Sequence, residues 1–452
     1  MTKKSLLLFA ALSIAALADF GCRPNNPEEP DTPGELQKVT AKVPVTQNWI
    51  YEGKPTITIQ IENPNKVAVE SAVQVRLSTD VKTAVGVLES TVEVPASGTL
   101  DVDVTTETEL PPGFYRAICK VDGKSAGDFF FGVSPEKIVS APDKQADFDA
   151  YWDAAKAELA AIDMKPNMIE ATSQSSAKRK VYLVEFQSVP DQPGGDPVTV
   201  RGYYLQPQDH RKHPVIMHFY GYDSSPKTSM YCPSGGSSDY AEFYLSTRGQ
   251  MINNRASEYR ADGIKLDFTN TYGDWFAFQF GNKDGYYYRG AFMDCVQAVR
   301  FMAQQATSDM SNLFAEGSSQ GGALTYATAA LSDYTFSAIA PCVAFLGDFP
   351  DYFKIVSWPG EVAKANKGDM TDEQMYAFLS YFDTKNLATR IHCPVIASSC
   401  LQDGTCPPHT NLAPYNNLKS TDKEIHFYPL LHHDIPSDWP GKWDAFFKAR
   451  IK

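Results

Sequence analysis

One six-residue run constrains the fold more than any other feature of this chain. Gly317-Ser318-Ser319-Gln320-Gly321-Gly322 separates a strand-like stretch, Asn312–Glu316, from a helix-like stretch that opens with Ala323-Leu324-Thr325-Tyr326-Ala327 and runs to Leu331. A chain that passes from strand to helix so quickly must turn sharply. Glycines flanking such a turn let the backbones approach, because a Cβ there would strike the neighbouring strand or helix. The turn would hold the Ser319 hydroxyl above the end of a sheet. The surrounding sequence has the matching alternation. Strand patterns fall at Val181–Phe186, Val198–Leu205, Pro214–Phe219, Ser337–Ala340, Pro394–Cys400 and Glu424–Tyr428. Helical spacing places Phe148, Trp152, Ala155 and Leu159 on one face, and Phe292, Val296, Val299 and Met302 on another, with a closing helix near Lys442–Arg450. Residues 146–452 are therefore predicted to form an α/β domain, a mostly parallel sheet covered by helices.

The preceding region has a different period. Ile57, Ile59 and Ile61 alternate with Thr56, Thr58, Gln60 and Glu62; Val73, Val75 and Leu77 alternate with Gln74 and Arg76; Leu100, Val102 and Val104 alternate with Asp101 and Asp103. Asp122-Gly123 is a two-residue hairpin signal between Tyr115–Val121 and Phe129–Phe131. Residues 39–135 are predicted to form an immunoglobulin-like β-sandwich. Such a module binds a glycan or partner, or serves as a spacer or oligomer-shaping unit, and the spacer reading is favoured because fold alone assigns no function. Residues 136–145 read as the linker.

The amino terminus reads as an export signal. Lys3 and Lys4 precede the apolar run Leu6–Ala18, too short to span a bilayer as a helix. Ala16-Leu17-Ala18 fits ordinary signal cleavage, whereas Gly21-Cys22 resembles a bacterial lipobox with Asp19 where Leu is preferred. The lipobox reading makes Cys22 the lipidated first residue of an exported, membrane-anchored protein. Ordinary cleavage leaves a soluble periplasmic or secreted one. The stretch 23–38, rich in Pro and Glu, reads as a flexible tether.

Charge narrows the partners. Lys+Arg number 41 against 54 Asp+Glu, a net charge of −13, which argues against nucleic acid and against a surface drawn to anionic lipid. A neutral substrate is compatible with it, and a homo-oligomer stays open. No metal or cofactor is expected: Cys393, Cys400 and Cys406 do not stand in zinc spacing with His409. Most of the eight cysteines lie in apolar runs and read as small buried side chains.

A serine at such a turn becomes a nucleophile only with a base, and the base needs an orienting carboxylate. In the order Ser, acid, His, with each at a strand end, Asp403 follows Pro394–Cys400, and His432 and His433 follow Glu424–Tyr428. An oxyanion would need two donors: the backbone N–H of Gln320, and one from the turn after Pro214–Phe219, at Tyr222. His218 reads as a structural residue within that strand, His409, His426 and His392 as packing or surface residues, and His210 and His213 as solvated.

These segments together resemble the acetyl xylan esterase/cephalosporin C deacetylase family, carbohydrate esterase family 7, from about Asp147 onward. The resemblance rests on Arg248-Gly249-Gln250, Tyr286-Tyr287-Tyr288-Arg289, Gly317-Ser318-Ser319-Gln320-Gly321-Gly322, Leu401-Gln402-Asp403-Gly404-Thr405-Cys406-Pro407-Pro408, Tyr428-Pro429 and His433-Asp434, in the family's order. It implies an α/β-hydrolase fold and a serine esterase with Ser319 as nucleophile, Asp403 as acid and His433 as base. Tyr222 and Gln320 would be the oxyanion donors, and Arg248 and Gln250 scaffolding near the site. His432 stands where the family has Gly, Asp434 where it has Glu, and Met251 where Gly often follows Arg-Gly-Gln. The implied substrate is an acetylated xylo-oligosaccharide or similar small acetyl ester. Remaining readings are an esterase or peptidase of the same fold acting on another acyl substrate, and a glycan-binding lipoprotein with an inactive hydrolase domain.

Overall fold

The computed structural model describes residues 36–222, 233–236, 238–250 and 272–452. The export signal, Cys22, most of the tether, Cys232 and Met251 lie outside them.

The amino-terminal strands are Thr40–Lys42 (β1), Ile50–Tyr51 (β2), Thr56–Glu62 (β3), Val69–Thr79 (β4), Ala84–Val94 (β5), Thr99–Thr105 (β6), Gly113–Val121 (β7) and Lys124–Val133 (β8). They form two sheets, ordered β1-β3-β6 and β2-β8-β7-β4-β5, the layout expected of a sandwich. The period-two alternation explains their faces. Ile57, Ile59 and Ile61 are buried, while Thr58 and Gln60 face outward and donate to Asp103 and Asp101 on β6 at 2.7 and 3.0 Å. Each buried Ile contributes on the order of 1.5–3 kcal/mol. Asp122 and Gly123, at φ 49° and 75°, make the tight turn joining β7 to β8.

Next come Phe148–Ala161 (α1), Asn167–Glu170 (β9), Arg179–Ser188 (β10), Val198–Pro207 (β11), His213–Phe219 (β12), Ala241–Ser246 (β13), Tyr287–Ala303 (α2), Ser308–Ser318 (β14), Gln320–Leu331 (α3) and Ala338–Cys342 (β15). Phe349–Ile355 (α4), Gly360–Asn366 (α5), Asp372–Leu379 (α6) and Thr384–Ala388 (α7) then lead to Val395–Cys400 (β16), Pro408–Asn417 (α8), Lys423–Tyr428 (β17) and Trp439–Lys448 (α9).

Nine strands make one sheet in the order β17-β16-β15-β14-β12-β13-β11-β10-β9, parallel from β13 to β17 and antiparallel beyond. The order crosses over between β12 and β13, and β14, which leads into Ser319, lies next to β12. Apart from Arg300, every residue of α2 from Tyr287 to Met302 is buried, including Arg289, Asp294 and Gln297, each of which is hydrogen-bonded. Val39–Lys452 form one compact unit, so the sandwich strands and the large sheet share it.

Candidate active site

Ser319 stands between β14 and α3 at φ 60°, ψ −121°, a conformation costly for any residue with a side chain. Its surroundings impose that conformation. A Cβ on Gly317 would lie 2.5 Å from the Gly321 carbonyl oxygen, and one on Gly321 would lie 2.1 Å from the Phe219 carbonyl oxygen. The Ser319 N–H donates to Cys342 on β15 at 2.9 Å, and its carbonyl accepts the Phe345 N–H at 3.0 Å. Strand, turn and helix thus interlock with almost no space between backbones.

Asp403 follows β16, and its carboxylate is buried. Oδ1 accepts the backbone N–H groups of Thr405 and Cys406, both at 2.8 Å. Oδ2 accepts from His433 Nδ1 at 2.7 Å, and His433 Nε2 lies 3.0 Å from the Ser319 hydroxyl. The imidazole, held on one side by a carboxylate, presents its other nitrogen to the serine. The adjacent His432 is exposed and its Nδ1 bonds to the Gln402 carbonyl at 2.9 Å. Of the two histidines, His433 is the one facing the serine.

The turn after β12 approaches the elbow closely: a Cβ on Gly221 would lie 3.8 Å from the Ser319 Cβ. Gln250 braces that turn, donating from Nε2 to the Gly221 carbonyl at 3.2 Å. Arg248 is buried beneath. Its guanidinium bonds to Asp294 at 2.6 and 3.0 Å, to Asp191 at 3.0 Å and to the Val189 carbonyl at 3.0 Å. Burial opposes its charge, but Asp294, with Tyr272 and Asp191 beside it, outweighs that cost and raises its pKa above the ordinary value. Gly290 is required beside it, since a Cβ there would lie 2.2 Å from an Arg248 nitrogen. Tyr222 turns its ring toward Trp275, Phe345 and Trp358 and donates to Asp274 at 2.8 Å. Gln320, fully buried, accepts the Tyr288 hydroxyl at 3.0 Å.

The structure therefore brings Ser319, Asp403, His433, Gln320, Tyr222, Arg248 and Gln250 into one neighbourhood. The sequence reading passed over Asp294, Asp191 and Asp274, whose roles depend on long-range partners, and gave Tyr288 no role of its own. Tyr286-Tyr287-Tyr288 was a visible signal, and its hydroxyls go to Phe276, Arg248 and Gln320.

His218 and His213 bond to carboxylates and a backbone carbonyl, not to the serine. His218 is buried, stacked on Tyr244, with Nδ1 2.6 Å from Glu316 and Nε2 3.4 Å from Glu242. Burial would lower its pKa, yet the two carboxylates raise it to about 9. It is a structural residue, as expected. His213, read as solvated, is instead buried, bonding Asp209 at 2.7 Å and the Asp239 carbonyl at 2.9 Å. The charged loop folds back on it. Cys119, Cys295, Cys342, Cys400 and Cys406 are buried free thiols, and Cys393 is half-buried.

Among the described residues, Asp348, Asp351 and His409 bring ligand-type atoms within 4.8 Å of one another. Both His409 nitrogens already face carboxylates, Asp80 at 3.1 Å and Asp348 at 3.3 Å, and Lys385 caps Asp348 at 2.8 Å. The cluster carries its own cations and reads as an ion-pair network.

The sheet order, the elbow after β14 and the position of each polar side chain at a strand end define an α/β-hydrolase fold. The family described as acetyl xylan esterase (AXE1) matches residues 136–449, more than half of the chain. The chain belongs to that family and is a serine esterase. It is 24% identical over 349 residues to the acetyl esterase Axe7A of Xylanibacter ruminicola, covering 76% of each protein. The acetyl xylan esterase from Paenibacillus sp. R4 is 25% identical with a TM-score of 0.57, over 70% of this chain and 98% of that one. Acetyl xylan esterase 1 from Thermoanaerobacterium sp. JW/SL YS485 shares the fold, with a TM-score of 0.58 at 23% identity and the same two coverages. The sandwich strands lie outside the family match.

Proposed function

We propose that this esterase removes acetyl groups from short acetylated xylo-oligosaccharides or similar small acetyl esters, with Ser319, His433 and Asp403 as its triad. The observation that carries the proposal is the continuous chain of bonds from Asp403 through His433 to the Ser319 hydroxyl. In this reading His433 Nε2 takes the serine proton as Oγ attacks the acetyl carbonyl, and Asp403 stabilises the imidazolium that forms. The backbone N–H groups of Gln320 and Tyr222 receive the oxyanion. His433 then returns the proton to the departing sugar oxygen, leaving an acetyl-enzyme. Water, activated by the same imidazole, releases acetate.

Family membership, together with relatives named for acetyl esters, supports acetate as the acyl group. The aromatic wall of Tyr222, Trp275, Phe345 and Trp358 supports a small apolar acyl site beside the serine. Release of acetate from acetylated xylo-oligosaccharides, measured beside p-nitrophenyl acetate, butyrate and dipeptide anilides, tests the reading. Acetate should be preferred, each added methylene shifting selectivity by about 1–3 kcal/mol. A preference for butyrate or for anilides would contradict it. We further propose attachment through lipid on Cys22; a clickable fatty acid should label the wild type and not Cys22→Ala.

A further inference from the structure

We propose that the amino-terminal sandwich is part of the active-site framework, with Gln402 as the residue through which it positions Asp403 and His433. The proposal rests on the triad reading above. β2 pairs with β8 at Gly132 and Val133, and at Phe130 the same flank of β8 faces the loop after β16. An edge strand presents backbone donors and acceptors that must find partners. Gln402 supplies both: Oε1 accepts the Phe130 N–H at 2.8 Å, and Nε2 donates to the Phe130 carbonyl at 3.0 Å. A side-chain amide thus stands where the next strand's peptide group would stand. Its second amide hydrogen goes to the Pro429 carbonyl at 2.7 Å.

The backbone of Gln402 ties the two catalytic loops together. Its N–H donates to the Leu431 carbonyl at 3.1 Å, and its carbonyl accepts from His432 Nδ1 at 2.9 Å. Asp403 is the next residue along one loop, and His433 follows His432 along the other. A shift of Gln402 would move both.

The far end of the acid loop is held from the same side. It runs into α8, whose His409 bonds Asp80 just beyond β4 at 3.1 Å. Asn416 donates to the Pro135 and Ile138 carbonyls at 3.1 and 3.0 Å, and Asn417 to the Ser140 carbonyl at 2.7 Å. The segment carrying Asp403 is therefore anchored to the sandwich and its linker at both ends. Triad geometry is demanding enough that displacement by about 1 Å can cost about 100-fold in rate.

Two full-length variants test this: Gln402→Met, which keeps the length and loses all three amide bonds, and Asp80→Asn, an isosteric change inside the sandwich. Each is assayed with p-nitrophenyl acetate for kcat and KM and with a fluorophosphonate for the labelling rate, well below its melting temperature. Gln402→Met should lower kcat and labelling about 10- to 100-fold with KM changed less than about 3-fold. Asp80→Asn should lower them about 3- to 10-fold, and it decides alone if Gln402→Met does not fold. Rates within twofold of wild type, with only the melting temperature reduced, would make the sandwich a stabilising appendage and overturn the proposal. Ser319→Ala in the same assay separates the two readings: an active Ser319→Ala would sink the triad itself, whereas an inactive one beside normal Gln402 and Asp80 variants would sink only the role of the sandwich.

Discussion

Ser319 is placed by its sequence neighbours and by the strands on either side of its own, whereas the acid loop opposite is bonded to a residue 272 positions away. On the nucleophile side, Gly317 and Gly321 permit contacts that any side chain would forbid. On the acid–base side local bonds hold only one carboxylate oxygen of Asp403, from the Thr405 and Cys406 N–H groups. Asp403 lies in a turn after β16, His433 in one after β17, and their register depends on Gln402, Phe130 and Pro429 meeting in space. A serine placed by local rules tolerates little substitution nearby. An imidazole placed by distant contacts can be displaced from far away.

The largest break in that comparison comes from His433, the proposed base. His433→Ala should lower kcat roughly 10⁴- to 10⁶-fold, while His432→Ala keeps at least roughly a tenth of the activity, because His432 bonds a carbonyl and not the serine. Steady-state assays of the purified pair check this. Equal losses would mean that His432 holds the loop as firmly as His433 serves the serine.

This contrast also decides how much could be read in advance. The elbow, its Ser319 and the order Ser, Asp, His were legible because glycine spacing and strand ends leave marks in sequence. The alternation of Ile57, Ile59 and Ile61 marked the amino-terminal sheets equally well. β13 was not recognised: Ala241–Ser246 shows no simple alternation, being buried at nearly every position between two other strands. Helices α4 to α7 were also missed, because segments of five to eight residues carry too few turns to show a period. Asp294 could not be paired with Arg248 from sequence, since 46 residues separate them. Gln402 carried no signal of its own, because its side chain bonds only backbone groups distant in the chain, at Phe130 in another sheet and at Pro429.

A smaller effect is expected at the elbow's support. Gly321→Ala should lower kcat/KM at least about 100-fold and reduce the melting temperature, since its Cβ must displace the Phe219 carbonyl and with it the turn proposed to donate to the oxyanion. Calorimetry and kinetics on the same preparation measure both. An unchanged enzyme would show that the turn has slack the structure does not.

The smallest effect belongs to the distant side. Burial opposes charge on His409, but Asp348 and Asp80 raise its pKa to about 10, with Asp351 also facing it and Lys385 on Asp348. A group raised on folding stabilises fully below its unfolded pKa of about 6.5, and that contribution is lost as pH rises through the folded value. The wild type should therefore lose more thermal stability between pH 7 and 10 than His409→Gln does. Parallel melting curves would contradict the assignment of a charged His409.

The central claim is that Ser319 is the activated nucleophile. Incubation of the full-length enzyme with a fluorophosphonate, followed by peptide mapping, tests it most directly. One adduct per chain is expected, on Ser319, absent from Ser319→Ala and formed normally in Ser318→Ala. An adduct on Ser318, or undiminished labelling of Ser319→Ala, would contradict it.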